Sequence, residues 1–298
     1  LEKRAKNIFS ELKRRIDFYN EMSKKSEYTL SAILKIKSVD IQITEKCSLK
    51  CKDCSNLMQY YTKPQDSELN QLFKSIDNLM SVVDYVNEFR VLGGDPFMNK
   101  EMHKVINKLS KFKNNSRIVI YTNATIMPKG EQLECLRNEK VGLEITNYGA
   151  ASRQHDALVE LCDKEGIEYS TLKMETWQDC GRITPHSQKS EKEIIKQFNN
   201  CCNSDLITLL HGNLYRCPFS ANGNNLKAFN ENASEVIDLT KDYESKESLK
   251  EMIKELCYNK KFLKACFSCN GRDYTTANIK AAVQTLNKKP LEYKKLEG

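Results

Sequence analysis

The chain of 298 residues carries 47 Lys and Arg against 40 Asp and Glu, a formal charge of +7, with 40% hydrophobic and 29% charged residues. That balance supplies a core and excludes global disorder, and the lack of any stretch of about 18 apolar residues excludes a membrane-spanning helix. The surplus charge sits at the ends: residues 1–36 hold nine Lys/Arg and five Asp/Glu, and residues 279–298 hold five Lys and two Glu, so residues 37–278 net to zero and no basic stripe marks a nucleic-acid face.

In the N-terminal extension, 1–36, Ile8, Leu12, Ile16 and Tyr19 recur at helical spacing, with Phe9 and Met22 near the same face. It lacks the apolar centre of a signal peptide, and it starts with Leu, which reads as a trimmed start. SVDIQIT (38–44) then reads as a buried strand, and DSELNQLFKSIDNLMSVVDYV (66–86) as a helix with N-cap candidates at Asp66 and Ser67. Strands at 89–94, 117–123, 141–146 and 167–173 alternate with helices at 99–112, 130–138 and 155–166. Repeated βα units of this length predict a parallel α/β sheet, open or curled into a barrel. The pattern breaks near residue 174. LITLLHGNLYRC (206–217) reads as a hairpin turning at His211-Gly212-Asn213, with helices at 245–265 and 273–287. A domain boundary falls at 190–200, which divides the chain into the extension, a domain over 37–195 and a smaller one over 196–298.

Twelve cysteines without a secretion signal point to free thiols in the cytoplasm, and so to metal or redox chemistry rather than a disulfide framework. Cys47, Cys51 and Cys54 lie within eight residues just after the first strand. Three close thiolates suit a cubane iron–sulfur cluster with one iron left open. A structural zinc would recruit a fourth close Cys or His, and the nearest histidine in sequence is His103. The four histidines, His103, His155, His186 and His211, do not cluster in sequence.

The CxxxCxxC spacing at the end of a first strand resembles the radical S-adenosylmethionine (SAM) superfamily. That resemblance implies a partial (β/α)6 TIM-like barrel, a [4Fe–4S] cluster on Cys47, Cys51 and Cys54, and SAM chelated at the open iron. It also implies reductive cleavage of SAM to a 5′-deoxyadenosyl radical, with an external electron donor such as a flavodoxin or ferredoxin. Gly93-Gly94-Asp95-Pro96 resembles the family's GGEP motif, which holds the SAM amino group; Asp95 keeps a carboxylate on a shorter reach. Asn123, Thr146 and Asn147, at later strand ends, match positions that contact SAM in the family, and Arg153 could pair with its carboxylate. The family often has an aromatic residue where this chain has Asp53, so adenine packing would come from elsewhere, with Tyr60 and Tyr61 as candidates.

Cys201-Cys202, Gly212-Asn-Leu-Tyr-Arg-Cys217 and Cys266-Phe-Ser-Cys269 resemble the start of the SPASM and twitch auxiliary-cluster domains. No cysteine follows Cys269, which favours the shorter twitch form. The resemblance implies a small α+β domain with a second [4Fe–4S] cluster on Cys201 or Cys202, Cys217, Cys266 and Cys269; four thiolates holding zinc is the alternative. Cys180, with Cys257 as rival, could return a hydrogen atom to a substrate radical, against the plainer reading of an inert thiol. The expected function is dehydrogenation or epimerisation of a small polyol: a sugar, sugar nucleotide or aminocyclitol. The alternatives are a maturase acting on a ribosomal peptide and a non-catalytic metal-binding scaffold.

Overall fold

The structure is a computed structural model that describes residues 13, 16, 33–180, 182–183, 189–203, 206–229, 233–273 and 275–295. Of the extension expected over residues 1–36, only Lys13, Ile16 and residues 33–36 fall among them, and His186 lies outside. The central strand, β1 (Lys35–Thr44), shows why the sheet forms where it does. Val39, Ile41 and Ile43 face the main core, while Asp40 faces the opposite side, into a cavity.

Helix α1 (Leu69–Val82) buries Leu72, Ile76 and Leu79 against that core, each contributing about 2 kcal/mol. Its cap is Glu68, whose carboxylate accepts from the Asn70 and Gln71 N–H groups, and not Asp66 or Ser67. Those two are drawn to the first strand instead: Asp66 accepts from Thr44 and pairs with Lys46, and Ser67 donates to the Gln42 carbonyl. Strand β2 (Tyr85–Gly93), α2 (Met102–Ser110), β3 (Asn115–Thr122), α3 (Glu131–Cys135), β4 (Val141–Asn147), α4 (His155–Glu165) and β5 (Glu168–Lys173) follow in the expected alternation. After β6 (Thr176–Gln178) and α5 (Glu191–Asn200) come β7 (Leu206–Leu210) and β8 (Asn213–Tyr215). The turn between those two strands holds both His211 and Gly212 at positive φ, as a two-residue hairpin requires. Helix α6 (Pro218–Asn225), β9 (Val236–Asp238), α7 (Lys246–Lys254) and β10 (Asn278–Lys280) complete the order.

The sheet runs β5-β4-β3-β2-β1-β7-β8-β9, and its first six strands are all parallel. These are the six parallel strands of a partial TIM-like barrel. Five of them are the strands of the βα alternation. The sixth is β7, which pairs with β1, so the sheet continues past residue 195. All five residues of β7 are buried, as expected for a strand that is both a hairpin arm and a central parallel strand.

Two helices differ from expectation. The one over 245–265 stops at Lys254 and passes through a π-turn at Glu255–Asn259. The one over 273–287 does not form among the described residues: β10 pairs with β6, and residues 281–293 form a strap whose one regular piece is a 3₁₀ turn at Leu286–Lys288. Tertiary bonds override helical propensity there, because the strap's backbone is spent on the cysteine loop: Lys52 N–H donates to Val283 O at 2.8 Å and Thr285 N–H to Lys50 O at 2.7 Å.

Candidate active site

The cysteine loop starts where β1 and β2 end side by side. Gly94 N–H donates to Thr44 O at 3.0 Å and Asp95 N–H to Lys46 O at 2.9 Å. A Cβ on Gly94 would lie 2.1 Å from Lys46 O and 2.7 Å from Cys47 Cβ, so only glycine permits this approach. The loop then turns tightly, with Cys54 N–H on Cys51 O and Leu57 N–H on Cys54 O.

Cys47, Cys51 and Cys54 line one cavity of about 460 Å³ together with Gly93, Gly94, Asn123 and Thr146. Each sulfur accepts N–H groups. Cys47 takes the Leu49 backbone and Asn123 Nδ2 (3.5 Å), Cys51 takes Gln284 Nε2 (3.2 Å), and Cys54 takes the Met58 and Asn56 backbones. Burial is the main force raising all three thiols above their ordinary range, Cys51 to about 12. As free thiols they would keep their protons. Metal coordination reverses that balance, and amide donors aimed at sulfur fit coordinated thiolates. The donor set and the glycine-walled space beside it fit a [4Fe–4S] cluster with room for a chelating ligand.

Asp95 occupies a different place from a cavity-facing carboxylate. It is fully buried and lies off the cavity lining; its oxygens accept from Phe97 N–H (3.1 Å), Thr122 Oγ1 (2.9 Å) and Asn123 N–H (3.1 Å). Burial raises its pKa against those three donors. Asp95 thus locks the ends of β2 and β3 together and sets the Asn123 side chain on Cys47. Pro96 opens a buried 3₁₀ turn, Asn147 accepts from Gly149 N–H, and Arg153 is exposed; none of the three lines the cavity.

Tyr60 and Tyr61 turn away from the cavity, Tyr60 accepting from Ile183 N–H and Tyr61 donating to Asn222 Oδ1. The aromatic walls are Tyr121, Tyr148 and Trp177, the last two edge to face with centroids 5.5 Å apart. Their sequence signal is weak, a Tyr one residue past a strand and a Trp on a three-residue strand. Asp53, in place of the family's aromatic residue, is held by Arg182. Deeper in, the cavity reaches Asp40, Arg90 and Glu144 on β1, β2 and β4.

A second cavity is lined by Cys201, Cys217, Cys266, Cys269 and Cys180. Four of these sulfurs accept a backbone N–H: Cys201 from Asn203, Cys217 from Ser220 (3.3 Å), Cys266 from Leu263 (3.4 Å) and Cys269 from Gly271 (3.3 Å). Cys180 differs, its Sγ donating to Gln178 O at 3.5 Å. Cys202 is exposed and bonds to Asn203 Oδ1. The four acceptor sulfurs fit a second cluster by the same criterion as the first three. Ser55, Cys180, Asn203 and Arg272 line both cavities and form the wall between them. Among the described residues, no group of three or more His, Cys, Asp or Glu is gathered closely enough for a single metal ion. Cys257 lies elsewhere, in a small cavity with Lys35, Ile36 and Arg216, at the opposite end of β1 from Cys47 and so roughly 30 Å away along the strand.

A family model described as the Radical SAM superfamily matches residues 41–213, more than half of the chain. Among curated proteins, the chain is similar to a GTP 3′,8-cyclase of Clostridium acetobutylicum, with 25% identity over 170 residues, 57% of this chain and 51% of that protein. The chain spans about half the length of that relative. Among solved structures, it is similar to BtrN in complex with AdoMet and 2-DOIA, with 14% identity, a TM-score of 0.42, and 87% of this chain and 98% of that one covered. It is also similar to Streptococcus suis SuiB bound to its precursor peptide SuiA, with 14% identity, a TM-score of 0.38, and 63% and 40% covered.

Proposed function

Because the chain belongs to the radical SAM superfamily, whose members use SAM and a [4Fe–4S] cluster, we propose that it takes a hydrogen atom from a small polyol and dehydrogenates or epimerises it. A sugar, sugar nucleotide or aminocyclitol is the substrate class. When bound, the cluster supplies the electron that splits SAM. Cys47, Cys51 and Cys54 hold it, Gly93, Gly94, Asn123 and Thr146 border the SAM site, and Tyr148 and Trp177 offer aromatic surface to the adenine. Asp95 acts as a positioning residue. Cys201, Cys217, Cys266 and Cys269 hold the auxiliary cluster in this reading, and Cys180, on the shared wall, is the candidate hydrogen donor. Cys257, at the other end of the strand, is dropped from that role. An external flavodoxin- or ferredoxin-class protein delivers the electron.

One observation carries the reading. A single cavity brings the three sulfurs together with charged and hydroxyl-bearing side chains, Asp40, Arg90, Glu144, Thr146 and Arg272 among them, groups able to orient a small hydroxylated molecule. The GTP 3′,8-cyclase relatives favour the nucleotide branch of the class as second reading.

The test is anaerobic turnover of the reconstituted protein with a panel of cyclitols, aminocyclitols, hexoses, sugar nucleotides and GTP, reading 5′-deoxyadenosine and oxidised or epimerised product. Stimulation by one member supports the proposal. Stimulation only by a short leader-bearing peptide would replace it with peptide modification, and a failure to bind SAM would leave a metal-binding scaffold.

A further inference from the structure

The inner face of the sheet carries a row of side chains that its own contacts leave incomplete. Thr208 on β7, Asp40 on β1 and Arg90 on β2 are Cα partners across three neighbouring strands, so all three project to the same side. That side is the cavity for Asp40 and Arg90, which line it, while Thr208 lies off the lining. Asp40 is 2% exposed and Thr208 is fully buried, yet Asp40 Oδ1, Thr208 Oγ1 and Arg90 Nε have no hydrogen-bond partner among the described residues. Asp40 and Arg90 do approach as an ion pair, Nε to Oδ1 at 3.2 Å, without hydrogen-bond geometry. Arg272, from the segment that walls off the second cavity, lines the same space and leaves its own Nε unpaired among the described residues.

A buried polar atom without a partner is destabilising. Several on one row are a standing cost that a ligand would offset. The next residue along the row, Val119 on β3, pairs with Gly142 on β4, so the row passes from polar to small side chains. Above it, Glu144 is engaged with Ser170. Asp40 lies four residues down β1 from Thr44, roughly 13 Å below the start of the cysteine loop. That depth leaves the mouth of the cavity to SAM and the floor to a second molecule.

We propose that Asp40 and Arg90, which line the cavity floor, form the substrate subsite and that it holds two adjacent hydroxyl groups of the polyol. One hydroxyl donates to the Asp40 carboxylate and the neighbouring one accepts from the Arg90 guanidinium. Thr208, off the cavity lining, flanks Asp40 on β7. The row is charge-neutral as a pair and offers both donor and acceptor, which suits a hydroxyl better than a lone anion or a lone cation. The inference rests on the polyol reading and names the residues that select its substrate.

The experiment uses the reconstituted full chain and the panel member that most stimulates 5′-deoxyadenosine formation. Asp40→Asn keeps the shape and removes the charge. It is expected to raise KM for that polyol about tenfold, the loss of one hydrogen bond, with SAM affinity on the same sample unchanged. Thr208→Val, a change at constant shape behind the cavity wall, is expected to leave KM unchanged. An analogue of the polyol lacking one hydroxyl of the pair is expected to lose discrimination between wild type and Asp40→Asn. A wild-type KM in Asp40→Asn, or an equal rise in Thr208→Val, overturns the subsite alone. A wild type that cleaves SAM but responds to no polyol overturns the polyol reading and the subsite with it.

Discussion

Cys47, Cys51 and Cys54 hang from the end of one strand within eight consecutive residues, whereas Cys201, Cys217, Cys266 and Cys269 are brought together from a helix end, a hairpin and a late 3₁₀ turn. The first group is held close largely by short turns of its own. The second exists only when distant segments have docked, so a metal held there would also clamp the fold. Local sulfurs serve chemistry with little structural debt; dispersed sulfurs couple ligation to folding.

The sharpest test of that contrast replaces each group in turn. With Cys47, Cys51 and Cys54 all changed to Ala, 5′-deoxyadenosine formation is expected to vanish while the circular dichroism spectrum and melting temperature stay close to wild type; persistent SAM cleavage by chromatography would break the assignment. With Cys217→Ala and Cys269→Ala together, iron is expected to fall from about eight to about four per chain. The melting temperature should drop by about 5 °C or more, because the clamp has gone. An iron count still near eight would mean that other thiols, Cys180 first among them, can complete the second site.

Gly94→Ala probes the joint between strand and loop. Its Cβ would overlap the Lys46 carbonyl, so a loss of about 2–4 kcal/mol in urea unfolding is expected, along with lower iron at the first site only. A pH profile comes next. Burial raises the Asp40 carboxyl to about 6; Arg90 and Arg272 oppose the rise and Glu88 adds to it. Above that value Asp40 is a carboxylate acceptor, and below it the acceptor gains a proton. KM for the polyol should therefore climb, by about tenfold, between pH 7 and pH 5, and a KM flat over that range would count against Asp40. The smallest effect is expected for Gln284→Leu, which removes an N–H donor from Cys51. The first cluster's midpoint potential should fall by tens of millivolts, on the order typical of hydrogen bonds to cluster sulfur, as read by an anaerobic spectroscopic titration.

Much of this was legible from the chain because the signals are short-range. The alternation of strands and helices through Lys173 follows from hydrophobic period, and the CxxxCxxC loop and GGDP turn are contiguous motifs. What escaped was set by partners far away in sequence. LITLL reads as a hairpin arm, which it is, but that it also serves as the sixth parallel strand is decided by its pairing with β1. The strap at 281–293 carries a helix-like pattern, yet its backbone bonds to a loop more than 200 residues earlier. Asp95 matches a motif position, but its shorter side chain meets its own backbone donors and stays inside the protein. The inner row escaped for a simpler reason: Asp40, Arg90 and Thr208 are single polar residues in three separate strands, and only register aligns them.

The strap has a consequence for how the protein matures. Lys50 N–H and Cys51 Sγ both wait for Gln284, a residue made 233 positions after that cysteine. During synthesis Cys51 emerges long before Gln284, its hydrogen-bond partner, so a cluster inserted on the ribosome would sit in an unfinished and open nest. Delivery of iron and sulfide after release, with the strap closing last over the loaded loop, is the order of assembly that this connectivity favours.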